Sequence, residues 1–231
     1  MGGSILHLTQ VLAMQHPSFW LLALGFLVPP HMAVAAAPAK LALWTDAACT
    51  LSVAGKAQGD LTAGNSRTLS LPAGDAEVSC TSPSWPDATA RAQVKLVAGE
   101  TTTTRLRLRW ASTQAGVLDR EQRLYWTAQD NGADIDWPSA GAWCKGLGEG
   151  WRLPSRNELS ALYAGAAGET VPCSNSRCKA PGLFQLSSYW MWAAELTPQG
   201  DAHYVYLNTG HPQSAKPDYK LKARALCVRP A

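Results

Sequence analysis

Two kinds of pattern, one after the other, predict a chain in two parts. The first is an all-β small antiparallel sandwich over residues 40–111. The second is an α+β domain over residues 112–231, with two helices and a twisted antiparallel sheet. Short runs of alternating apolar and polar residues, divided by Gly- and Pro-containing turns, mark the sandwich. Two helix-start signals followed by three more strand-like runs mark the α+β domain. A third observation concerns the cysteines: all six (Cys49, Cys80, Cys144, Cys173, Cys178, Cys227) follow an uncharged apolar N-terminal stretch.

That stretch comes first in the chain. No Asp, Glu, Lys or Arg precedes Lys40. Residues 19–28 form an apolar run of about 10, half of the roughly 20 that a membrane-spanning helix needs. Pro29 and Pro30 end it, and Ala33-Val-Ala-Ala-Ala-Pro-Ala39 offers A-x-A cleavage after Ala35, Ala37 or Ala39, with Pro38 counting against Ala37. Residues 1–39 therefore read as a signal peptide, and Met14 is a second candidate start. No cysteine follows the run directly, so a lipid anchor is unsupported. The expectation is export to the periplasm or beyond the cell, with no transmembrane segment in the mature chain.

Six cysteines in an oxidising compartment read as three disulfides, with fifteen pairings open. If the chain divides near residue 112, Cys49 can meet only Cys80. Cys173 and Cys178 are then nearest neighbours, which leaves Cys144 with Cys227. Zinc is the alternative, but the spacings hold no C-x-x-C and no paired His.

Within the first part, Cys49-Thr-Leu-Ser-Val53 alternates, Ala54-Gly-Lys56 turns, and Ser66-Arg-Thr-Leu-Ser-Leu71 alternates again. Pro72-Ala-Gly-Asp75 is the next turn and Ala76-Glu-Val-Ser-Cys80 the third strand. Ala92-Gln-Val-Lys-Leu96, the turn Val97-Ala-Gly-Glu100 and a strand over 102–108 complete the set. In the last strand Leu106 and Leu108 share one face and Arg105, Arg107 and Arg109 the other. That basic face reads as solvated, with a polyanion-binding stripe as the alternative.

Val53-Ala-Gly-Lys56, Gly59, Leu71-Pro-Ala-Gly74, Val78 and Leu96-Val-Ala-Gly-Glu-Thr101 together resemble the PEGA domain, a small surface-associated β-sandwich of bacterial envelope proteins. Asp46-Ala-Ala-Cys49 stands where that family carries its naming tetrapeptide, and the Cys49–Cys80 pair is an addition.

In the second part, Asp136 can cap a helix that has Pro138 in its first turn and Ala140, Trp143, Cys144 and Leu147 on one face. Ser155-Arg-Asn-Glu158 is a capping box that opens a second helix, with Leu159, Leu162 and Tyr163 as its buried stripe and Gly165 as its stop. Strands are expected over 189–193, 203–207 and 223–229. Leu124-Tyr-Trp126, Asp136-Trp137, Ala142-Trp-Cys144, Gly150-Trp-Arg-Leu-Pro-Ser155, Glu158-Leu159, Leu162, Tyr189-Trp190 and Arg224-Ala-Leu-Cys-Val-Arg229 are similar to the DUF1566 family, also called the Lcl C-terminal domain after a collagen-like adhesin. The resemblance implies the C-type-lectin-like fold shared with formylglycine-generating enzymes. In that fold a cysteine on the first helix bridges to the last strand, which agrees with Cys144–Cys227.

The composition narrows the chemistry. With 46% hydrophobic residues and a net charge of +3, the chain is neither disordered nor an obvious nucleic-acid binder. His7, His16 and His31 fall in the N-terminal segment, so the mature chain keeps His203 and His211, which argues against His-dependent catalysis. No G-x-S-x-G, H-E-x-x-H or Walker loop occurs, and Glu158 is explained by its capping role. Asp130, Asn131, Asp134 and Asp136 could offer oxygens to calcium, and a turn at Asn131-Gly132 with an N-cap at Asp136 is the competing reading. No other cofactor is expected. Lys216, Lys220, Lys222 and Arg224 crowd the chain before the last strand, either to guard a sheet edge or to dock an anionic glycan. Trp85, between Pro83-Ser and Pro86-Asp, is either a contact residue at a loop tip or folded back on the sandwich. The function expected is an exported bacterial non-catalytic binding or adhesion-type protein, whose partner is an envelope or extracellular polymer or protein. A scaffold role in the envelope comes second, and an enzyme of the formylglycine-generating type third.

Overall fold

The computed structural model describes residues 37–219 and 222–231, all within one compact unit, Ala36–Ala231. The expectations about the signal peptide up to residue 36, the Met14 start and Lys220 lie outside the described residues.

Seven strands build the sandwich: β1 (Ala39–Thr45), β2 (Cys49–Val53), β3 (Lys56–Leu61), β4 (Ser66–Leu71), β5 (Gly74–Thr81), β6 (Thr89–Leu96) and β7 (Thr101–Leu106). One sheet runs β3-β2-β5-β6 and the other β4-β1-β7. Leu41, Leu43, Leu51, Val53, Val78 and Leu106 meet in a common core, because alternation turns the apolar residues of both sheets inward. Three expectations change here. β1 pairs parallel with β7, so the sandwich is mixed rather than purely antiparallel. Lys56 opens a strand instead of closing a turn, and β3 escaped the alternation pattern because Leu61 is its one buried residue. Ala39 is fully buried at the start of β1, so it belongs to the sandwich and not to the segment before it.

The second part follows with β8 (Trp110–Thr113), β9 (Gly116–Asp119), β10 (Leu124–Trp126), α1 (Trp137–Gly146) and α2 (Arg156–Gly165). Then come β11 (Val171–Cys173), β12 (Ser176–Cys178), β13 (Trp190–Leu196), β14 (Ala202–Tyr206), β15 (Pro212–Ala215), β16 (Ala223–Arg224) and β17 (Val228–Pro230). Two four-stranded sheets result, β17-β10-β9-β8 and β15-β14-β13-β16, beside the hairpin β11-β12.

Both helices start where the sequence says. Asp136 accepts from the Ser139 N–H at the head of α1, and Ser155 and Glu158 form the reciprocal capping box of α2. Leu147, expected on the buried face of α1, is the C-cap and stays 42% exposed, because the helix ends one residue before it. The strand expected over 223–229 breaks into β16 and β17. Between them Asn131 and Thr127 side chains accept the Ala225 and Cys227 N–H groups that a ladder would otherwise use.

The bridges are Cys49–Cys80, Cys144–Cys227 and Cys173–Cys178, with no free cysteine among the described residues. They are the pairs that a division near residue 112 implies. The boundary itself falls earlier, since Trp110 belongs to the second core and its indole N–H donates to the Gly165 carbonyl at 2.9 Å. The halves keep separate cores inside one unit. Charged side chains clasp them. Asp46 accepts from the N–H groups of Leu108 (2.6 Å), Arg109 (3.1 Å) and Trp110 (3.1 Å), and burial pushes its carboxyl up against the pull of those donors.

Of the arginines of 105–109 expected on a solvated face, Arg105 is exposed, Arg107 half-buried and Arg109 buried. Arg105 lies over the Trp44 ring, Arg107 holds Glu169 in a two-pronged pair, and buried Arg109 grips Asp119 through Nε (2.9 Å) and Nη2 (2.8 Å). Gly165 lets Arg109 through: a Cβ there would stand 2.4 Å from the guanidinium.

Candidate ligand-binding trough

Two hollows on the α+β half adjoin at Gln129 and Asp130, which line both, and together they are called the trough. The first, about 490 Å³, lies over Val171, Pro172, Phe184, Gln185, Leu186 and Ser187. The second, about 440 Å³, lies between Gln114, Thr127, Trp143, Leu147 and Trp151. Both sizes fall within the usual range for small-molecule sites, about 300–1,000 Å³.

Each wall is placed by a local rule. Trp143 rides on α1 beside Cys144, which the Cys144–Cys227 bridge anchors. Trp151 follows the turn Gly148–Gly150, whose φ values of 125° and 78° favour glycine, and its ring is backed by the Arg229 guanidinium at 5.6 Å. Gly116 forms the facing wall. A Cβ there would sit 2.2 Å from the Trp126 carbonyl oxygen, so only glycine fits. The floor is a bridge between distant segments, where Gln185 N–H donates to Ala128 O (2.8 Å) and the Gln129 amide donates to Gln185 Oε1 (2.9 Å).

Asp130 is already committed. Gly132 N–H (2.8 Å), Ser187 N–H (2.6 Å) and the Ser187 hydroxyl (2.7 Å) donate to its carboxylate. The same Ser187 oxygen accepts from Arg224 Nε at 2.7 Å, so Arg224 balances Asp130 from behind. Arg224 also pairs with Asp134, which holds the Asp134 carboxyl below its ordinary value. Asp136 caps α1. The three aspartates therefore serve three separate partners, and among the described residues no group of three His, Cys, Asp or Glu could hold a metal ion. Calcium is not brought together there.

The basic residues are scattered too. Lys216 pairs with Asp201 at 2.7 Å, which raises its ammonium pKa. Lys222 is exposed in a turn with φ 62°, and Arg224 sits on β16, an edge of its sheet. Nearby, Tyr219 stacks on Trp190 at 5.1 Å, and Trp190 lies 4.2 Å from Tyr204, whose phenol burial pushes up. Trp85, midway in the loop between β5 and β6, is folded back in part against the sandwich core. The amide pair was missed by sequence reasoning. Gln129 stands beside the legible Asn131-Gly132 turn, but nothing local in the chain announces Gln185, 56 residues on.

No family model and no curated protein matches the chain. Among solved structures it is similar to a C-terminal 282-residue fragment of intimin, determined in complex with the intimin-binding domain of the translocated intimin receptor. Identity is 16% and the TM-score 0.34, over 81% of this chain and 58% of that one. An intimin mutant from EHEC O157:H7 gives 14% and 0.33 over 81% and 87%. The adhesin InvE of Yersinia pseudotuberculosis gives 13% and 0.31 over 78% and 54%. The chain spans less than two thirds of the first and third of these structures. At such scores neither function nor partner is carried over.

Proposed function

We propose that this is an exported, non-catalytic binding protein of adhesion type, whose α+β half presents the trough to an envelope or extracellular partner. The observation that carries the reading is the state of the trough's polar groups. Its one carboxylate is filled by three hydrogen bonds, while its amides and indoles stay available for recognition. A carboxylate held by three donors of its own chain is placed to shape the trough.

Export is supported by the three bridges, which persist in oxidising compartments. Among the described residues no helix is long and apolar enough to cross a membrane. Kinship of residues 112–231 with the DUF1566 family is supported by the roles that its shared residues take. Arg152 pairs with Glu158 at 2.8 Å, Leu153 is buried, and Cys144 on α1 is bridged to Cys227 just before β17. For the PEGA-like part the support is thinner: the Leu71-Pro-Ala-Gly74 and Val97-Ala-Gly-Glu100 turns connect strands as that resemblance expects.

The test is co-sedimentation of the purified mature chain with bacterial envelope fragments. Gln185→Arg places a bulky charge in the trough from an exposed position. The wild-type chain is expected in the pellet and the variant in the supernatant. Equal sedimentation of the two overturns the reading.

A further inference from the structure

The trough lining is almost free of charge, and what it leaves open is neutral. Gln129 Oε1, the Gln185 amide N–H groups, the Thr127 hydroxyl hydrogen and the indole N–H groups of Trp143 and Trp151 have no hydrogen-bond partner among the described residues. Three other tryptophans spend their indole N–H on a carbonyl: Trp110 on Gly165, Trp137 on Ala193 and Trp192 on Ile135. Trp143 and Trp151, half-buried at the trough, do not; nor do Trp126 and Trp190, but their indole N–H groups are buried in the cores, out of a ligand's reach.

We propose that the trough binds a neutral saccharide chain, a proposal that rests on reading this trough as the binding surface. A sugar ring carries hydroxyls that both donate and accept, around faces of C–H groups that are apolar. Side-chain amides offer a donor and an acceptor from one plane, and an indole offers an apolar face with a polar edge. Both are present here, and in adjoining hollows. The two hollows meet at Gln129 and Asp130, and two adjoining sites suit consecutive units of a chain better than a single compact molecule.

The lining is also set before any ligand arrives. Gln129 and Gln185 hold each other, and Trp143 neighbours a bridged cysteine. Trp151 is fixed by a glycine turn and backed by Arg229. Binding to side chains already fixed loses little rotamer entropy.

Two rival chemistries fit less well. An anionic polymer needs cations facing it, but the trough's one ionisable side chain is Asp130, and Arg224 stands behind it, tied to Ser187 and Asp134. A peptide adding itself as a strand needs an unpaired edge. Here Ala128 and Gln129 are already bridged to Gln185. A Pro-rich peptide lying across the two tryptophans is the remaining rival.

The experiment titrates the mature chain by tryptophan fluorescence against oligosaccharides of four neutral polymers: an α-glucan, a β-glucan, a mannan and a galactan. A Pro-rich decapeptide is the comparator. At least one oligosaccharide is expected to bind, with an affinity that changes less than about two-fold between roughly 0.05 and 0.5 M salt, since no charge is there to be screened. Gln185→Ala should weaken that binding about ten-fold, and because the residue is exposed its melting temperature should hold. Trp151→Phe, which keeps a ring face but loses the N–H, should weaken it less than Trp151→Ala. Several results overturn the proposal: no binding by any of the four, binding that falls with salt, an inert Gln185→Ala, or peptide binding in their place. If sedimentation with envelope stays trough-dependent while all four oligosaccharides fail, the functional reading stands and the saccharide is wrong. Oligosaccharide binding without sedimentation sinks the envelope partner instead.

Discussion

The clasp between the two halves and the trough on the second half use polar groups in opposite ways. At the clasp nearly every charge has a fixed partner: Asp46 with three backbone N–H groups, Arg107 with Glu169, Arg109 with Asp119 and Glu121. At the trough the one charge is filled and the neutral groups are left open. The difference teaches that in this chain charge is mainly structural, whereas the proposed recognition rests on amides and indoles. A reader who follows charge through the sequence is led to Arg105–Arg109 and to the Lys216–Arg224 region, and in both places the described arginines have partners inside the chain or on a neighbouring ring.

The strongest way to break the comparison is to unpair the clasp. Arg109 is 7% exposed and Asp119 fully buried, so Asp119→Ala leaves a buried cation with the more exposed Glu121 as its one anionic partner among the described residues, beside the Trp110 ring and the Ala161 carbonyl. Removing one partner of such a pair costs about 3–5 kcal/mol, a large share of the roughly 5–15 kcal/mol that holds a domain folded. Urea denaturation should register that loss. Affinity at the trough, measured where the variant is still folded, should change by less than about two-fold. A small stability loss with a large binding loss would reverse the roles assigned to the two regions.

The bridges sharpen the same contrast on the trough side. Cys144–Cys227 spans 83 residues and Cys173–Cys178 spans 5. In the loop-entropy model these amount to about 4–5 and about 2 kcal/mol. Cys144→Ala should therefore lower the melting temperature more than Cys173→Ala. It should also weaken trough binding, because Trp143 loses its anchored neighbour. Equal melting shifts would count against the ordering, and unchanged binding in Cys144→Ala would show that the bridge does not hold the wall.

Much of this architecture was legible because it follows local rules. Asp136 and the Ser155–Glu158 box name both helix starts, Gly165 names a stop, and alternation names β2 and β4 to the residue. The misses share a cause. β3 is an edge strand with one buried residue, and the parallel pairing of β1 with β7 joins residues about as far apart as the sandwich allows. Arg109 looked solvated because Asp119 and the gap at Gly165 come from later segments. The trough floor depends on a pair of glutamines that no periodicity connects. Local grammar shows where elements begin, whereas partners across the fold decide which charges are spent.

The smallest expected effect tests the capping box, which lies near the trough but is built like the clasp. Burial alone would raise the Glu158 carboxyl, yet Arg152 and the Ser155 N–H together hold it below its ordinary value. A depressed folded-state pKa contributes stability that is present above the unfolded value, about 4.3, and is lost as pH falls through the lower folded value. Arg152 is 43% exposed, so solvent screens the pair and the contribution belongs with helix caps, about 1 kcal/mol. Glu158→Gln keeps the side-chain acceptor for Ser155 but removes the charge. It should be less stable than the wild type at neutral pH, and the gap should close as pH drops below about 4. Melting curves of both proteins across that window give the answer. A gap that persists unchanged into acid would mean that the capping geometry, not the charge, holds the helix start. The trough wall that follows Trp151 would then rest on neutral contacts, like the trough itself.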